Sequence, residues 1–289
     1  MKNTTKFQKV IDLKQKYETL KKGKESLLVM IEDIELAESI YNSNAIENST
    51  LTLSDTEKVL LDLEVSKEYS LREVYEAKNL ARVYEYIRNK KDEILLKKEM
   101  ILFIHGLLIG GINDGIAGRF RKENEYVRVE KHIAPAPEHV LRMMEVLLYE
   151  YTSDHTTPIF SKIAYFHLQF ETIHPFVDGN GRIGRTLINM QLQAYGYPPI
   201  IIRNKEKHLY YKTFSYFREG KKVEAMEHII YLALCEGLHK RIAYMEGKSI
   251  ITLSEYAKEQ GISLANVINH AKRQTIEAFR EKGVWKIGV

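Results

Sequence analysis

Apolar positions along the first forty residues recur at intervals of three and four. Val10, Leu13, Tyr17 and Leu20 fall on one side, with Lys and Glu between them, which predicts helix over 5–41. Lys22-Gly23-Lys24 interrupts that pattern, and a second helix starts near Glu25. The polar stretch 41–50, YNSNAIENST, reads as a connection, and Ser54-Asp55-Thr56-Glu57 has the form of a capping box opening the next helix. Helical spacing continues over 70–90 and 97–109. The texture changes at Gly110-Gly111, where Asn113-Asp114-Gly115 and Gly118 are turn signals. Residues 125–130 alternate at period two, predicting a short strand or hairpin that ends at Ala134-Pro135-Ala136-Pro137. Helices resume over 138–152 and 158–172. A loop at 174–181 leads into a helix running to Ala194, Tyr197-Pro198-Pro199 breaks it, and helices follow at 206–218 and 223–245. In the last forty residues, two short helices (253–260 and 264–273) flank Gly261, and strands at 278–280 and 284–287 flank the turn Glu281-Lys282-Gly283.

Composition narrows the class. With 44 % hydrophobic and 28 % charged residues the chain is an ordinary globular mixture, which excludes disordered and collagen-like proteins. Its 289 residues suit two domains better than one. Six Pro and sixteen Gly argue against a turn-dense all-β architecture, so the fold expected is mainly α. A single cysteine, Cys235, rules out an intrachain disulfide. The amino-terminal segment MKNTTKFQKV has no apolar stretch behind it, and no run approaches the ~20 residues of a membrane helix. The expectation is a cytoplasmic protein with no membrane partner. A net charge of +4 is compatible with an anionic ligand but far from that of a nucleic-acid condensing protein.

Candidate chemistry concentrates in 174–185, HPFVDGNGRIGR. Gly179-Asn180-Gly181 leads directly into a helix, where small residues let backbone N–H groups approach a ligand and the helix N-terminus favours an anion. Arg182 and Arg185, three apart, can reach one site from the first turn, and two guanidiniums beside an anion nest suit a polyphosphate. Asp178 stands at the loop edge, where it can hold Mg²⁺ on phosphate oxygens. His174 has the ordinary pKa of a general base near neutral pH. Taken singly, each is weak: a His before Pro is usually a plain loop residue, and 179–184 also fits GxGxxG. A dinucleotide site needs a strand before that motif, whereas Phe166, Phe170 and Ile173 are spaced as a helix. The conjunction is what carries specificity.

That conjunction resembles the Fic family, whose signature is HxFx(D/E)GNGRxxR and is met in full. The resemblance extends to 127–137, VRVEKHIAPAP, similar to the family's flap hairpin. It also takes in Gly118-Arg119-Phe120-Arg121, Ile201-Ile202-Arg203 and the pair Tyr210-Tyr211. It implies a Fic helical core with a β-hairpin flap, and transfer of AMP from ATP to a Ser, Thr or Tyr hydroxyl of a target protein. By that analogy His174 takes the hydroxyl proton and Asp178 holds Mg²⁺ on the α and β phosphates. The N–H groups of Gly179, Asn180 and Gly181, with the Asn180 side chain, steady the α-phosphate. Arg182 and Arg185 grip the outer phosphates, and Ile183 and Gly184 complete the nucleotide-binding loop. Val129, Glu130, Lys131 and His132 of the flap line the nucleotide and pair with an extended target segment. Tyr210 and Tyr211 close the adenine pocket. Lys replaces Gly181 in the phosphorylating Doc branch, so the GNGR form favours nucleotidyl transfer. Where many members carry an Asn that contacts the nucleotide sugar, this chain has Arg218.

Ser43-Asn44-Ala45-Ile46-Glu47-Asn48 fits (S/T)xxxE(G/N), the inhibitory motif of many Fic proteins. Alone, so loose a pattern reads as an exposed Glu at a helix end. Beside the Fic signature it implies that Ser43, Glu47 and Asn48 form a lock, with Glu47 in a bidentate pair with Arg185 in place of the γ-phosphate. In some relatives the same Glu also supports AMP removal. Residues 250–289 resemble a winged-helix or excisionase-like module, with six basic residues against four acidic ones. DNA and protein docking suit it about equally. The organisation expected is 1–94 as N-terminal helices with the lock, 95–245 as catalytic core and 250–289 as winged-helix-like module. A DNA-binding regulator whose core senses nucleotide, transfer of a different nucleotide, and a homodimer stay open as alternatives.

Overall fold

A computed structural model describes residues 2–65, 67–90, 96–129 and 131–289. Among these, twelve α-helices and five short strands form two compact units. One unit is built from Met1–Glu38, Tyr197–Ile200 and His228–Val289, the other from Ser39–Gly196 and Ile201–Glu227. No described helix is long and apolar enough to cross a membrane.

The larger unit begins with the last turns of α2 (Glu25–Ile46), then α3 (Leu53–Leu60), α4 (Leu71–Lys90) and α5 (Lys98–Ile109). The hairpin β1 (Arg128–Val129) and β2 (His132–Ile133) pairs Val129 with His132 in antiparallel register, and α6 (Pro137–Ser153) starts with Pro at its first position. Next come α7 (Ile159–Ile173), α8 (Asn180–Ala194) and α9 (Lys207–Gly220). α8 packs against α4, α5 and α7, and nearly all its residues are buried. An apolar helix would suit that position, yet α8 buries Arg182, Arg185, Asn189 and Gln191 as well. Buried charges require partners, so the surrounding helices must supply anions to α8.

Three expectations are corrected here. The stretch 41–46, read as a connection, continues α2 to Ile46. Ser43 and Asn44 are buried, and tertiary packing extends a helix that local pattern would end. The cap of α3 is Thr52 rather than Ser54: its side chain accepts the Asp55 N–H at 3.1 Å and donates to Asp55 Oδ2 at 2.7 Å. Only Arg128 and Val129 of the alternating 125–130 stretch form strand; Glu130 lies outside the described residues.

The smaller unit combines α1 (Lys2–Lys21), the first part of α2, most of α10 (Glu224–Met245) and the C-terminal segment. That segment holds β3 (Ile250–Thr252), α11 (Leu253–Glu259), α12 (Leu264–Lys272), β4 (Ala278–Glu281) and β5 (Val284–Gly288), with antiparallel order β3-β5-β4. Its core is Leu253, Ala257, Val267, Ala271, Ala278 and Ile287. Thr252 and Glu255 form a reciprocal capping box at α11. The segment does not stand apart from its unit. Arg280 pairs with Glu236 of α10 at 2.7 Å, and the Glu38 carboxylate accepts the N–H groups of Lys282 and Gly283 at the β4–β5 turn. Arg241, fully buried, is matched by Glu35 at 2.7 Å.

Candidate active site

The site forms where α7 ends and α8 begins. His174 stops α7 in the left-handed region (φ 50°), its N–H donating to Phe170 O at 2.8 Å, and Pro175 bars further helix. Arg121 fixes this corner from below. Its Nε donates to His174 O at 2.8 Å, and its terminal nitrogens donate to Glu125 O and Pro135 O at either end of the flap segment. His174 and the segment that carries the β1–β2 hairpin therefore share one buried guanidinium.

Asn180 closes the loop. Its Oδ1 accepts the Phe176 N–H at 2.9 Å and its Nδ2 donates to Phe176 O at 2.8 Å. The resemblance places this side chain on the α-phosphate; here both of its polar ends are engaged in holding the loop. Gly179 caps α8 at φ 82°, a conformation that favours glycine. Beneath, His105 stacks on Phe176 with centroids 3.7 Å apart. Its Nδ1 accepts the Gly118 N–H at 3.0 Å, which makes Nε2 the protonated nitrogen that donates to Asp178 O at 3.1 Å. Burial lowers the His105 pKa to about 4, so this neutral tautomer persists at physiological pH.

Anions converge on α8. The Glu47 carboxylate lies over the first turn, so close that a Cβ on Gly181 would stand 2.2 Å from Oε1. Its Oε1 accepts from Arg185 Nη2 at 2.8 Å. The pair is single-ended rather than bidentate, and Arg185 also donates from Nε to Ser43 Oγ (3.0 Å) and from Nη2 to Ser43 O (2.8 Å). Arg185 Nη1 is buried without a hydrogen-bond partner. Burial works against the Arg185 charge, but Glu47 chiefly raises its pKa above the ordinary arginine value. Asn48 takes φ 70° just after α2, which explains why the motif wants Gly or Asn there, and its Oδ1 accepts from Lys207 Nζ at 3.2 Å. Tyr211 OH donates to Ile46 O at 2.9 Å, tying α9 to the same turn.

The structure brings together Ser43, Glu47, His174, Asp178–Arg185 of the loop and Tyr211. Tyr210 is sunk in the core, its OH 2.9 Å from His167 Nε2. Val129 is half-buried and Lys131 exposed, and His132 Nε2 lies 2.9 Å from Thr172 O. Residues outside the signature complete the site. Glu171, one turn before His174, places Oε2 3.7 Å from His174 Nδ1, and its Oε1 has no hydrogen-bond partner. Burial, with the Glu47 charge added, pushes its pKa up to about 8. Burial likewise pushes His174 down to about 4, leaving its imidazole neutral and able to accept a proton. The i, i+3 spacing of Glu171 and His174 on α7 was a signal available in the sequence. Arg72 and Glu76 of α4 had none: Arg72 pairs with Asp178 across 106 positions. Asp178 is held below the usual carboxylate range; burial opposes this, and the Arg182 and Arg72 guanidiniums outweigh it.

The arrangement joins a glycine-rich helix N-terminus, a neutral histidine and two buried arginines, with a β-hairpin tied to the same corner through Arg121. The Fic/DOC family model matches residues 95–192. The chain is 33 % identical over 189 residues to the protein adenylyltransferase Fic of Nematostella vectensis, covering 63 % of this chain and 43 % of that protein. It is 32 % identical over 186 residues to the protein of the same name from Drosophila melanogaster, covering 63 % and 37 %. The chain thus spans about two fifths of the length of these curated relatives. Among solved structures, a Fic domain containing signaling protein from Bacteroides thetaiotaomicron superposes with a TM-score of 0.73 at 25 % identity, over 83 % of this chain and 97 % of that one. Fic-1 from C. elegans gives 0.70 at 23 % identity, over 85 % and 73 %, a likeness of fold.

Proposed function

We propose that this chain is a self-inhibited protein adenylyltransferase, moving AMP from ATP to a Ser, Thr or Tyr hydroxyl of a target protein. The observation that carries the reading is an anion seat at the N-terminus of α8 occupied by the chain's own Glu47 carboxylate, beside a neutral His174. Curated relatives named protein adenylyltransferase support the transferred group. The first-turn N–H groups of α8 have no intrahelical acceptor and cradle phosphate oxygens. Arg182 and Arg185 hold the outer phosphates. With Nδ1 facing Glu171, His174 offers Nε2 to the incoming hydroxyl. The hydroxyl oxygen bonds to the α-phosphorus, the bond to pyrophosphate breaks, and the proton passes to Nε2.

Asp178 suits Mg²⁺. One hard oxygen donor is enough for a cation whose other ligands are phosphates and water, and Oδ2 already attracts a cation, Arg72. No described cluster of three or more His, Cys, Asp or Glu residues could hold a metal by itself. When bound with ATP, Mg²⁺ would offset charge on the departing pyrophosphate. The flap edge, a two-residue ribbon with Arg128 and Ile133 exposed, suits pairing with an extended target strand.

On this reading Glu47 is the inhibitory group. Its carboxylate occupies the Arg185 nitrogen that a γ-phosphate needs, so ATP enters in a pose unsuited to in-line attack. In the same position Glu47 can orient water for AMP removal. A second reading concerns the winged-helix-like segment: α12 exposes Asn266, Asn269, His270 and Lys272, with Arg273 beyond it, a surface that suits DNA. Labelled ATP with Mg²⁺ and cell lysate tests the first reading. His174→Ala should lose ~10²–10⁴-fold in transfer while still binding ATP, and near-normal transfer by this variant would remove His174 from the mechanism.

A further inference from the structure

Four side chains alternate in charge around the signature's acidic residue. Asp178 Oδ1 lies 3.2 Å from Arg182 Nη2 and accepts the Gly179 N–H at 2.6 Å, while Oδ2 is taken by Arg72. Glu76 Oε1 closes the ring, 3.1 Å from both Arg72 Nε and Arg182 Nη1. The ring balances two cations against two anions. Its members differ in exposure: the Arg182 side chain is 3 % exposed and Glu76 13 %, against 57 % for Arg72. Arg72 is the one corner that can leave without stranding a buried charge. It also sits in the first turn of α4, where a cation opposes the helix dipole, so its placement is stabilised by Glu76 and Asp178. Both α4 residues lie outside the matched family segment.

We propose that Arg72 stands in for the divalent cation on Asp178 in the resting site, so that metal binding with nucleotide is an exchange of one cation for another. The inference rests on the nucleotide reading above. A metal that uses Oδ2 must displace the guanidinium, because Oδ1 already serves Gly179 and Arg182. Glu76, four residues on along α4, keeps the released Arg72 at the rim of the site, ready to return when the metal leaves. The resting enzyme then has two holds on separate halves of the anion seat: Glu47 on Arg185 and Arg72 on Asp178.

Mn²⁺ binding to the full chain, followed by electron paramagnetic resonance with a non-hydrolysable ATP analogue present, tests this without catalysis. Arg72→Gln should lower the half-saturating Mn²⁺ concentration roughly 3–10-fold, the range expected for releasing a charge-assisted, partly exposed pair. Arg142→Gln, an exposed change on α6, should leave it unaltered. Unchanged or weaker Mn²⁺ binding by Arg72→Gln overturns the exchange. Absence of nucleotide-dependent Mn²⁺ binding in the parent overturns the nucleotide reading and the exchange together.

Discussion

Glu171→Gln should remove the loss of stability that this carboxyl causes as pH rises from about 4.5 to about 8. Glu171 is 9 % exposed, and burial raises its pKa from 4.5 to about 8. A carboxyl whose folded pKa lies above its unfolded value contributes stability that is fully present below the unfolded pKa and is lost as pH rises through the folded one. The window therefore runs from about 4.5 up to about 8. Within it each pH unit removes up to ~1.4 kcal/mol, so two units remove up to ~2.7 kcal/mol. Gln has the same shape and does not titrate. Urea unfolding of parent and variant at about pH 5.5, 6.5 and 7.5 should show the variant gaining on the parent by ~2–3 kcal/mol across the series. His105, His167 and His174 have depressed pKa values, and their contributions are lost as pH falls below ~6.5 toward 4 and lower. Present in both proteins, they largely cancel in the difference. A difference that stays constant across the series would refute the argument that Glu171 is held as a neutral acid beside His174.

Other outcomes follow from the same geometry. Asn180→Ala removes both side-chain bonds to the Phe176 backbone and should destabilise the fold by ~1–3 kcal/mol, measured by urea unfolding; a loss below ~0.5 kcal/mol would mean that the loop closes without it. For the DNA reading, Lys272→Glu/Arg273→Glu on the exposed end of α12 should abolish a salt-sensitive gel shift while leaving transfer intact. Point changes serve better than deleting 250–289, which would remove the contacts of Arg280 with Glu236 and of Lys282 and Gly283 with Glu38.

The loop 174–185 was legible in the sequence because its candidate residues fall within a dozen positions, although the partners of Arg182 and Arg185 come from α4 and α2. The helical spacing of Phe166, Phe170 and Ile173 argued against a dinucleotide fold. The 43–48 motif was legible in the sequence, but not its geometry: Arg185 divides its nitrogens between Ser43 and Glu47. That sharing depends on α2 running through 41–46, which α8 and its neighbours enforce and the polar sequence does not advertise. β3 escaped notice because Ile250-Ile251-Thr252 is a strand only by virtue of pairing with β5. Arg72 and Glu76 could not be found by spacing, since their partners Asp178 and Arg182 lie about a hundred positions on.

The most direct test of the account compares AMP transfer and AMP release, separately, for the parent, Glu47→Gly and Glu47→Gly/His174→Ala, using labelled ATP and mass analysis of the modified target. Removing the Glu47 carboxylate frees Arg185 Nη2 for the γ-phosphate. If the resting form is favoured ~99:1, inverting the populations takes a swing of ~5.5 kcal/mol, and even part of that gives a visible gain in transfer. The account predicts a clear gain for Glu47→Gly, loss of that gain in the double variant, and modified target that Glu47→Gly no longer clears. Equal transfer by parent and Glu47→Gly would contradict the lock, and gain surviving in the double variant would contradict His174 as the base.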